Sequence, residues 1–296
     1  MRVFVTGATG FIGSALVNEL LGAGHQVLGL ARSDAGAKAL TQAGAQVQRG
    51  NLEDLDILRS GAAASDAVIH LGFSHDFSKF KENCETDRRA IETLGSALVG
   101  SKRPLIVTSG LALLAKGRLA TEDDPPVPVS EMYPRASEQA AAEVQKQGVR
   151  LIIVRLPQVH DTTRQGLVTY AIQIAREKGS SAYIGNGLNH WAAVHVSDAA
   201  HLYCLALEKG HAGERYHAVA EEGVTARDIA EAIGRGLNVP VVSVTPEQAP
   251  AQFGWLAAFA ALDLKGSSAK TRQKLGWNPT GATLLSDLAN MHFSQS

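Results

Sequence analysis

Thr6-Gly7-Ala8-Thr9-Gly10-Phe11-Ile12-Gly13 decides how this chain is read. Just before it, Arg2 to Val5 supply a short β-branched and aromatic strand; just after it, Ser14 to Leu21 read as an amphipathic helix. The glycines have GxxGxxG spacing. Gly7 permits a tight turn, Gly10 lets the backbone approach a pyrophosphate, and Gly13 lets the helix lie close to the strand. The helix N-terminus offers free N–H groups and a positive dipole end to phosphate. Glycines alone only make turns, but a triplet that leaves a strand and opens a helix marks a dinucleotide site. Thr9, Phe11 and Ile12 complete its lining.

The 296-residue sequence is otherwise that of an ordinary globular protein. It is 45% hydrophobic and 19% charged, which provides for one large domain or a large and a small one. No apolar run reaches the ~18 residues that span a bilayer, and the N-terminus already reads as a cofactor-loop strand, so no signal peptide is expected. The two cysteines, Cys84 and Cys204, suggest reduced thiols and a cytoplasmic location rather than a disulfide framework. A net charge of −1 without a basic block argues against nucleic acid as a partner. The histidines are scattered and no cluster has metal-ligand spacing, so no metal is expected.

Strands are predicted at Val3–Val5, Gln26–Leu30, Ala45–Arg49, Ala67–Leu71, Leu105–Thr108 and Leu151–Leu156. They alternate with helices at Ser14–Leu21, Ala35–Ala43, Asp54–Ala62, about Lys79 to Val99, and Arg135–Lys146. Continuous apolar strands suit a parallel sheet covered on both faces, and strand–helix alternation predicts an α/β, Rossmann-type doubly wound fold. After Pro157 the pattern breaks into shorter elements: a helix at Gly166–Glu177, a strand near Ala192–Val196, a helix at Ala199–Glu208, a strand at Arg215–Val219, a helix at Ala226–Leu237 and a strand at Pro240–Val244. This predicts a cofactor domain over residues 1–160. Residues 161–296 would form mainly a substrate lobe interleaved with the last sheet elements.

With these pieces in order, the chain resembles the extended short-chain dehydrogenase/reductases, the group of sugar epimerases, dehydratases and dihydroflavonol reductases. TGATGFIG is similar to the family's cofactor loop, and Gly50-Asn51-Leu52 stands where the family caps the adenine, usually with Asp in place of Asn51. Val68-Ile69-His70-Leu71 resembles the strand beside the nicotinamide ribose, extending the implied cofactor set to Leu71, Gly72, Phe73 and, after the sixth strand, Pro157. Trp191 to Ala199 resembles the substrate-lobe signature built on V-H-V-x-D, and Lys274 to Pro279 the C-terminal L-G-W-x-P element. The resemblance implies homodimerisation through the helices near Lys79–Val99 and Arg135–Lys146.

At the end of the second strand, a carboxylate would bind the 2′-hydroxyl of NAD. Here the chain reads Arg32-Ser33, with Asp34 beyond the contact point. Arg32 suits bidentate pairing with a 2′-phosphate and Ser33 a hydrogen bond, so NADP(H) is expected.

The resemblance also implies a YxxxK pair. Its tyrosine passes the substrate proton, while its lysine holds the ribose and lowers the tyrosine pKa. The matching segment is Tyr133-Pro134-Arg135-Ala136-Ser137, with serine at the lysine position. On a continuous helix Arg135 would point roughly 200° away from the tyrosine. After the fifth strand the family's Thr/Ser-Ser-Ser becomes Thr108-Ser109-Gly110, leaving Ser109 or Thr108 to polarise a carbonyl. Without the lysine, Tyr133 is expected near its ordinary pKa of about 10, protonated at neutral pH, and better suited to donate than to accept a proton. His75 and Asp76 after the fourth strand, and Gln158 and His160 after the sixth, also fall near the nicotinamide, with His75 or His160 as replacement acids. His195 reads as structural; Trp191 and Tyr183 are either core or pocket lining.

The sequence thus predicts an NADPH-dependent reductase of a small-molecule carbonyl or activated double bond. Tyr133, Ser109, Thr108 and His160 are the catalytic candidates. The alternatives are a sugar-nucleotide epimerase or dehydratase, and a non-catalytic NADP(H) sensor.

Overall fold

Runs such as Leu151-Ile152-Ile153-Val154 have no outward polar face and need cover on both sides; all four side chains are buried. The protein is described from a computed structural model covering residues 1–115, 117–131 and 133–293. Its strands are β1 (Arg2–Thr6), β2 (Gln26–Ala31), β3 (Gln46–Arg49), β4 (Ala67–His70), β5 (Pro104–Gly110) and β6 (Arg150–Leu156). Shorter strands follow: β7 (Gln158–His160), β8 (Ser181–Ile184), β9 (His190–His195), β10 (Arg215–His217), β11 (Glu221–Thr225) and β12 (Val241–Val244). The helices are α1 (Phe11–Gly22), α2 (Asp34–Gln42), α3 (Leu55–Ala63), α4 (Phe80–Ser96), α5 (Ser137–Lys146), α6 (Leu167–Lys178), α7 (Val196–Lys209) and α8 (Ala226–Leu237). Four short ones close the chain: α9 (Ala249–Phe253), α10 (Ala257–Ala260), α11 (Ala269–Leu275) and α12 (Leu284–Asn290).

The main sheet is parallel, with seven strands in the order β10-β6-β5-β4-β1-β2-β3. One face packs Leu16 and Leu20 of α1 with Leu202 and Leu205 of α7; the other packs Leu58 of α3, Ile91 and Leu94 of α4, and Val144 of α5. This is the doubly wound α/β fold. The chain reverses direction between β1 and β4, so the loops beyond their C-terminal ends part to leave a crevice. Residues 215–217 and α7 lie in the second half of the sequence yet build the sheet layers.

The rest of the second half forms a satellite core, in which Trp191, Ile229, Phe253 and Leu284 pack together. It carries a three-stranded sheet, β11-β9-β7, and a two-stranded one, β12-β8. Two of the sequence motifs, Trp191–Ala199 and Lys274–Pro279, meet where α7 packs on the main core. Trp277 Nε1 donates to the Asp198 carbonyl at 3.0 Å, and the Asp198 carboxylate accepts N–H groups from Thr280 and Gly281. Among the described residues no helix is long and apolar enough to cross a membrane.

Three boundaries depart from the sequence reading. Helix α1 starts at Phe11, because Gly10 itself serves as its N-cap. A 3₁₀ turn at Phe77–Lys79 precedes α4, and α5 begins at Ser137, leaving Tyr133 and Arg135 outside any helix.

Candidate active site

The glycine loop is built for close approach. Gly7 has φ +68°, and a Cβ there would stand 2.8 Å from the Gly72 nitrogen. A Cβ on Gly13 would stand 2.0 Å from the Gly7 carbonyl oxygen, a distance no side chain tolerates. Helix α1 has no side-chain cap and no acidic residue in its first turn, so its leading amides remain available to an anion. These residues fit the pyrophosphate of a dinucleotide. Thr9 is exposed and leans toward the start of α2, while Phe11 and Ile12 are half-buried against the core.

Just beyond the C-terminal end of β2, Arg32 is exposed and forms no ion pair among the described residues. Ser33 caps α2, its Oγ accepting the Gly36 N–H at 3.1 Å. A second cation stands beside them: Arg49 donates to the Ser33 carbonyl at 2.5 Å and to Asp34 Oδ1 at 2.8 Å. The sequence reading missed Arg49, because only strand pairing sets the ends of β2 and β3 side by side. Asn51 Oδ1 is engaged by the Glu53 N–H at 2.7 Å, and Leu52 covers Gly72.

A buried hydrogen-bond chain runs from this crevice to the start of α5. Gly72 N–H donates to Thr6 Oγ1 at 3.1 Å, and Thr6 bonds His70 Nδ1 at 2.7 Å. His70 Nε2 bonds Asp87 Oδ1 at 3.1 Å, and Ser137 Oγ donates to Asp87 Oδ2 at 2.6 Å. Arg135 Nε donates in turn to Ser137 Oγ at 3.2 Å. Asp87 accepts at both oxygens, so His70 carries its proton on Nε2 and takes the Thr6 hydroxyl at Nδ1. The Arg135 guanidinium stacks over the Phe73 ring, 4.8 Å from its centroid. Leu71 and Pro157 are half-buried at the ends of β4 and β6.

Tyr133, Ser109, Gly110, Arg135, Ser137 and Glu138 line one small cleft at the end of β5. Tyr133 and Arg135 occupy irregular backbone, held by reciprocal amide bonds between Ser130 and Tyr133. The helical argument that sends Arg135 away therefore fails: irregular backbone brings both side chains to the cleft. Burial pushes the Tyr133 phenol above its ordinary pKa, only partly offset by the Arg135 charge. The expectation that it sits near the usual value is corrected upward: the phenol stays protonated at neutral pH, while its intrinsic strength as a proton donor falls.

The two hydroxyls of β5 face different partners. Thr108 Oγ1 donates to the His70 carbonyl at 2.8 Å and meets the buried Tyr203 hydroxyl at 2.7 Å. It does not line the cleft, a correction that follows from strand alternation. Ser109 does line it, with its hydroxyl facing the Glu138 carboxylate. Burial alone would raise the Glu138 pKa; two 2.8 Å hydrogen bonds and the charge of Arg155 outweigh this and hold it below the carboxylate range.

His160 is corrected more sharply. It is fully buried, with Nδ1 2.7 Å from Asp287 and its ring edge-on to His195, and presents no surface to a ligand. Gln158 is also buried, its Oε1 accepting the Leu167 N–H. His195 caps α7, its Nδ1 accepting the Ser197 N–H. His75 is exposed yet leans on Phe73, and burial of its ring, with the Arg135 charge, holds its pKa below the ordinary value. Asp76 caps the 3₁₀ turn. Trp191 and Tyr183 line a separate apolar cavity between α6, β8, α8 and α9. Away from both sites, His25, Cys204 and Glu208 bring possible metal-ligand atoms within 4.8 Å of one another, although their sequence spacing suggests no site.

The family model described as the NAD dependent epimerase/dehydratase family matches residues 3–219. An uncharacterized protein of Schizosaccharomyces pombe is 49% identical over 296 residues, covering 98% of this chain and 99% of its own. One from Saccharomyces cerevisiae is 45% identical over 292 residues, covering 97% and 98%. Among solved structures, a dTDP-glucose 4,6-dehydratase from Streptomyces venezuelae with NAD and TYD bound superposes with a TM-score of 0.77 at 22% identity, covering 99% of this chain and 96% of its own. That likeness is one of fold. The match across most of the chain places this protein in the NAD-dependent epimerase/dehydratase family, the extended short-chain dehydrogenase/reductases.

Proposed function

We propose that the protein is an NADPH-dependent reductase of a small-molecule carbonyl or activated double bond, with Tyr133 as proton donor. The observation that carries this reading is a half-buried tyrosine in the cleft with serine, not lysine, four residues on, and its pKa pushed up by burial. Such a phenol is protonated at neutral pH. It serves as an acid toward a developing alkoxide and as a poor base for the alcohol oxidation that epimerases require.

When bound, the nicotinamide supplies hydride. Gly7, Gly10 and Gly13 would cradle its pyrophosphate, with Thr9, Phe11 and Ile12 around them, and Asn51 and Leu52 would flank the adenine. Leu71, Gly72, Phe73 and Pro157 would border the nicotinamide end. Arg32, Ser33 and Arg49 support NADP(H) over NAD: two guanidinium groups stand at the strand ends where a 2′-phosphate would lie, and Arg49 offsets the charge of Asp34. In this reading residues 1–160 hold the cofactor, and the substrate lobe comes mainly from 161–296.

The test is NADPH oxidation against a panel of aldehydes, ketones, imines and activated alkenes, with NADPH and NADH affinities measured alongside. The reading predicts turnover with NADPH preferred. Tight NADPH binding with no turnover across the panel would favour a cofactor-binding sensor.

A further inference from the structure

The donors of the cleft can be accounted for one by one. Ser109 turns its hydroxyl toward the Glu138 carboxylate, and Ser137 donates to Asp87. Two donors remain: the Tyr133 hydroxyl and the terminal nitrogens of Arg135. Arg135 forms no ion pair among the described residues, and its one hydrogen bond leaves from Nε. Its buried neighbour Arg155 is by contrast bidentate with Glu138. Gly110 lies alongside, where a Cβ would stand 3.7 Å from Arg135 Nη1.

We infer that Arg135 is the anchor for a carboxylate on the substrate, so that the cleft accepts short oxo acids in preference to their neutral analogues. The inference rests on the reductase reading for the carbonyl but on the geometry of Arg135 for the anion. With Nε held by Ser137 and the plane stacked on Phe73, the guanidinium has a fixed orientation. The end left free is the Nη1/Nη2 fork, whose parallel N–H pair matches the two oxygens of a carboxylate. A ribose hydroxyl or an alkoxide offers one oxygen and would leave half of the fork unpaired. Ser137 is the positioning residue: it stands where a lysine would bring its own charge, and instead fixes the charge of Arg135.

The experiment uses the NADPH-loaded protein. Benzoate and benzamide are titrated as non-reacting probes, read by NADPH fluorescence, and benzoylformate is compared with its methyl ester in turnover. Benzoate should bind and benzamide should not compete at similar concentration. Arg135→Ala should weaken benzoate by about 10- to 100-fold, the loss of a charge-assisted pair. The same variant should erase the acid-over-ester preference in kcat/KM, chiefly through KM. Arg135→Lys, which keeps the charge without the fork, should recover only part of the binding, and circular dichroism checks that each variant folds. Equal binding of benzoate and benzamide by the wild type would overturn the inference. So would an Arg135→Ala loss in kcat that is the same for acid and ester. Reduction of neutral carbonyls without benzoate binding would remove the anchor and leave the reductase. Arg135-dependent benzoate binding without any reduction would do the reverse.

Discussion

Ser137 Oγ donates to Asp87 at 2.6 Å while accepting from Arg135 Nε at 3.2 Å. A residue that stands where the family's lysine is expected thus holds a cation in place of being one. The same chain reaches back through His70 and Thr6 to the Gly72 amide, beside the glycine loop. One hydrogen-bond chain therefore joins the crevice beside the glycine loop to the cleft at the end of β5.

Asp87 is the centre of that connection and is buried. Replacing it with alanine leaves His70 Nε2–H and the Ser137 hydroxyl without their acceptor, at a cost of about 1–3 kcal/mol for each donor. Urea unfolding of Asp87→Ala should show this loss; a change below about 0.5 kcal/mol, the range of an ordinary surface substitution, would contradict the connection.

Cofactor choice is tested at the strand ends. Arg32→Ala should weaken NADPH by about tenfold or more, the value of a lost charge-assisted hydrogen bond, with a far smaller change for NADH. Arg49→Ala should act in the same direction and also free Asp34. Equal losses for the two dinucleotides would remove the 2′-phosphate assignment.

Gly13→Ala probes the loop itself. Its methyl group would meet the Gly7 carbonyl oxygen at 2.0 Å, and backbone cannot move aside as a flexible side chain can. Overpacking of this kind costs about 1–3 kcal/mol or more, so a lower Tm and loss of dinucleotide binding are expected. A variant that binds NADPH like the wild type would contradict the close approach of α1 to β1.

His217 makes the fold sensitive to acid. Burial, with the nearby Arg155 charge, lowers its pKa to about 4 from 6.5, although Glu122 and the Ser267 carbonyl pull the other way. Between those values the unfolded imidazole takes up a proton that the folded one refuses. The unfolded state binds more protons there, and stability falls as pH drops from about 6.5 toward about 4. His75 and His160, also lowered, add to the same slope. His217→Asn should flatten part of it in pH-dependent urea melts; an unchanged slope would exclude His217 as a cause.

How much was legible in the sequence follows from where the information lies. Continuous apolar strands and the glycine loop are local signals, and the sheet with its crevice follows from them. Strand β11 was not legible, because Glu221-Glu222-Gly223 carries no apolar alternation and pairs with β9 through a register shift. Arg49 was missed, and Arg135 was argued away, for a different reason. Arg49 reaches Ser33 only through strand pairing, and Arg135 enters the cleft only because α5 starts at Ser137. His160 looked catalytic by its place after β6, yet β7 pairs with β9 and turns the ring inward onto Asp287. Side-chain direction in such segments is set by tertiary packing, which spacing along the chain does not encode.

The central claim is that Tyr133 delivers the proton to the reduced substrate. The most direct measurement is the steady-state rate of NADPH oxidation by Tyr133→Phe and wild-type protein on one substrate taken from the carbonyl panel. Loss of a general acid predicts a fall in kcat of about 100- to 10,000-fold. An unchanged kcat would contradict the account and pass the proton to another group.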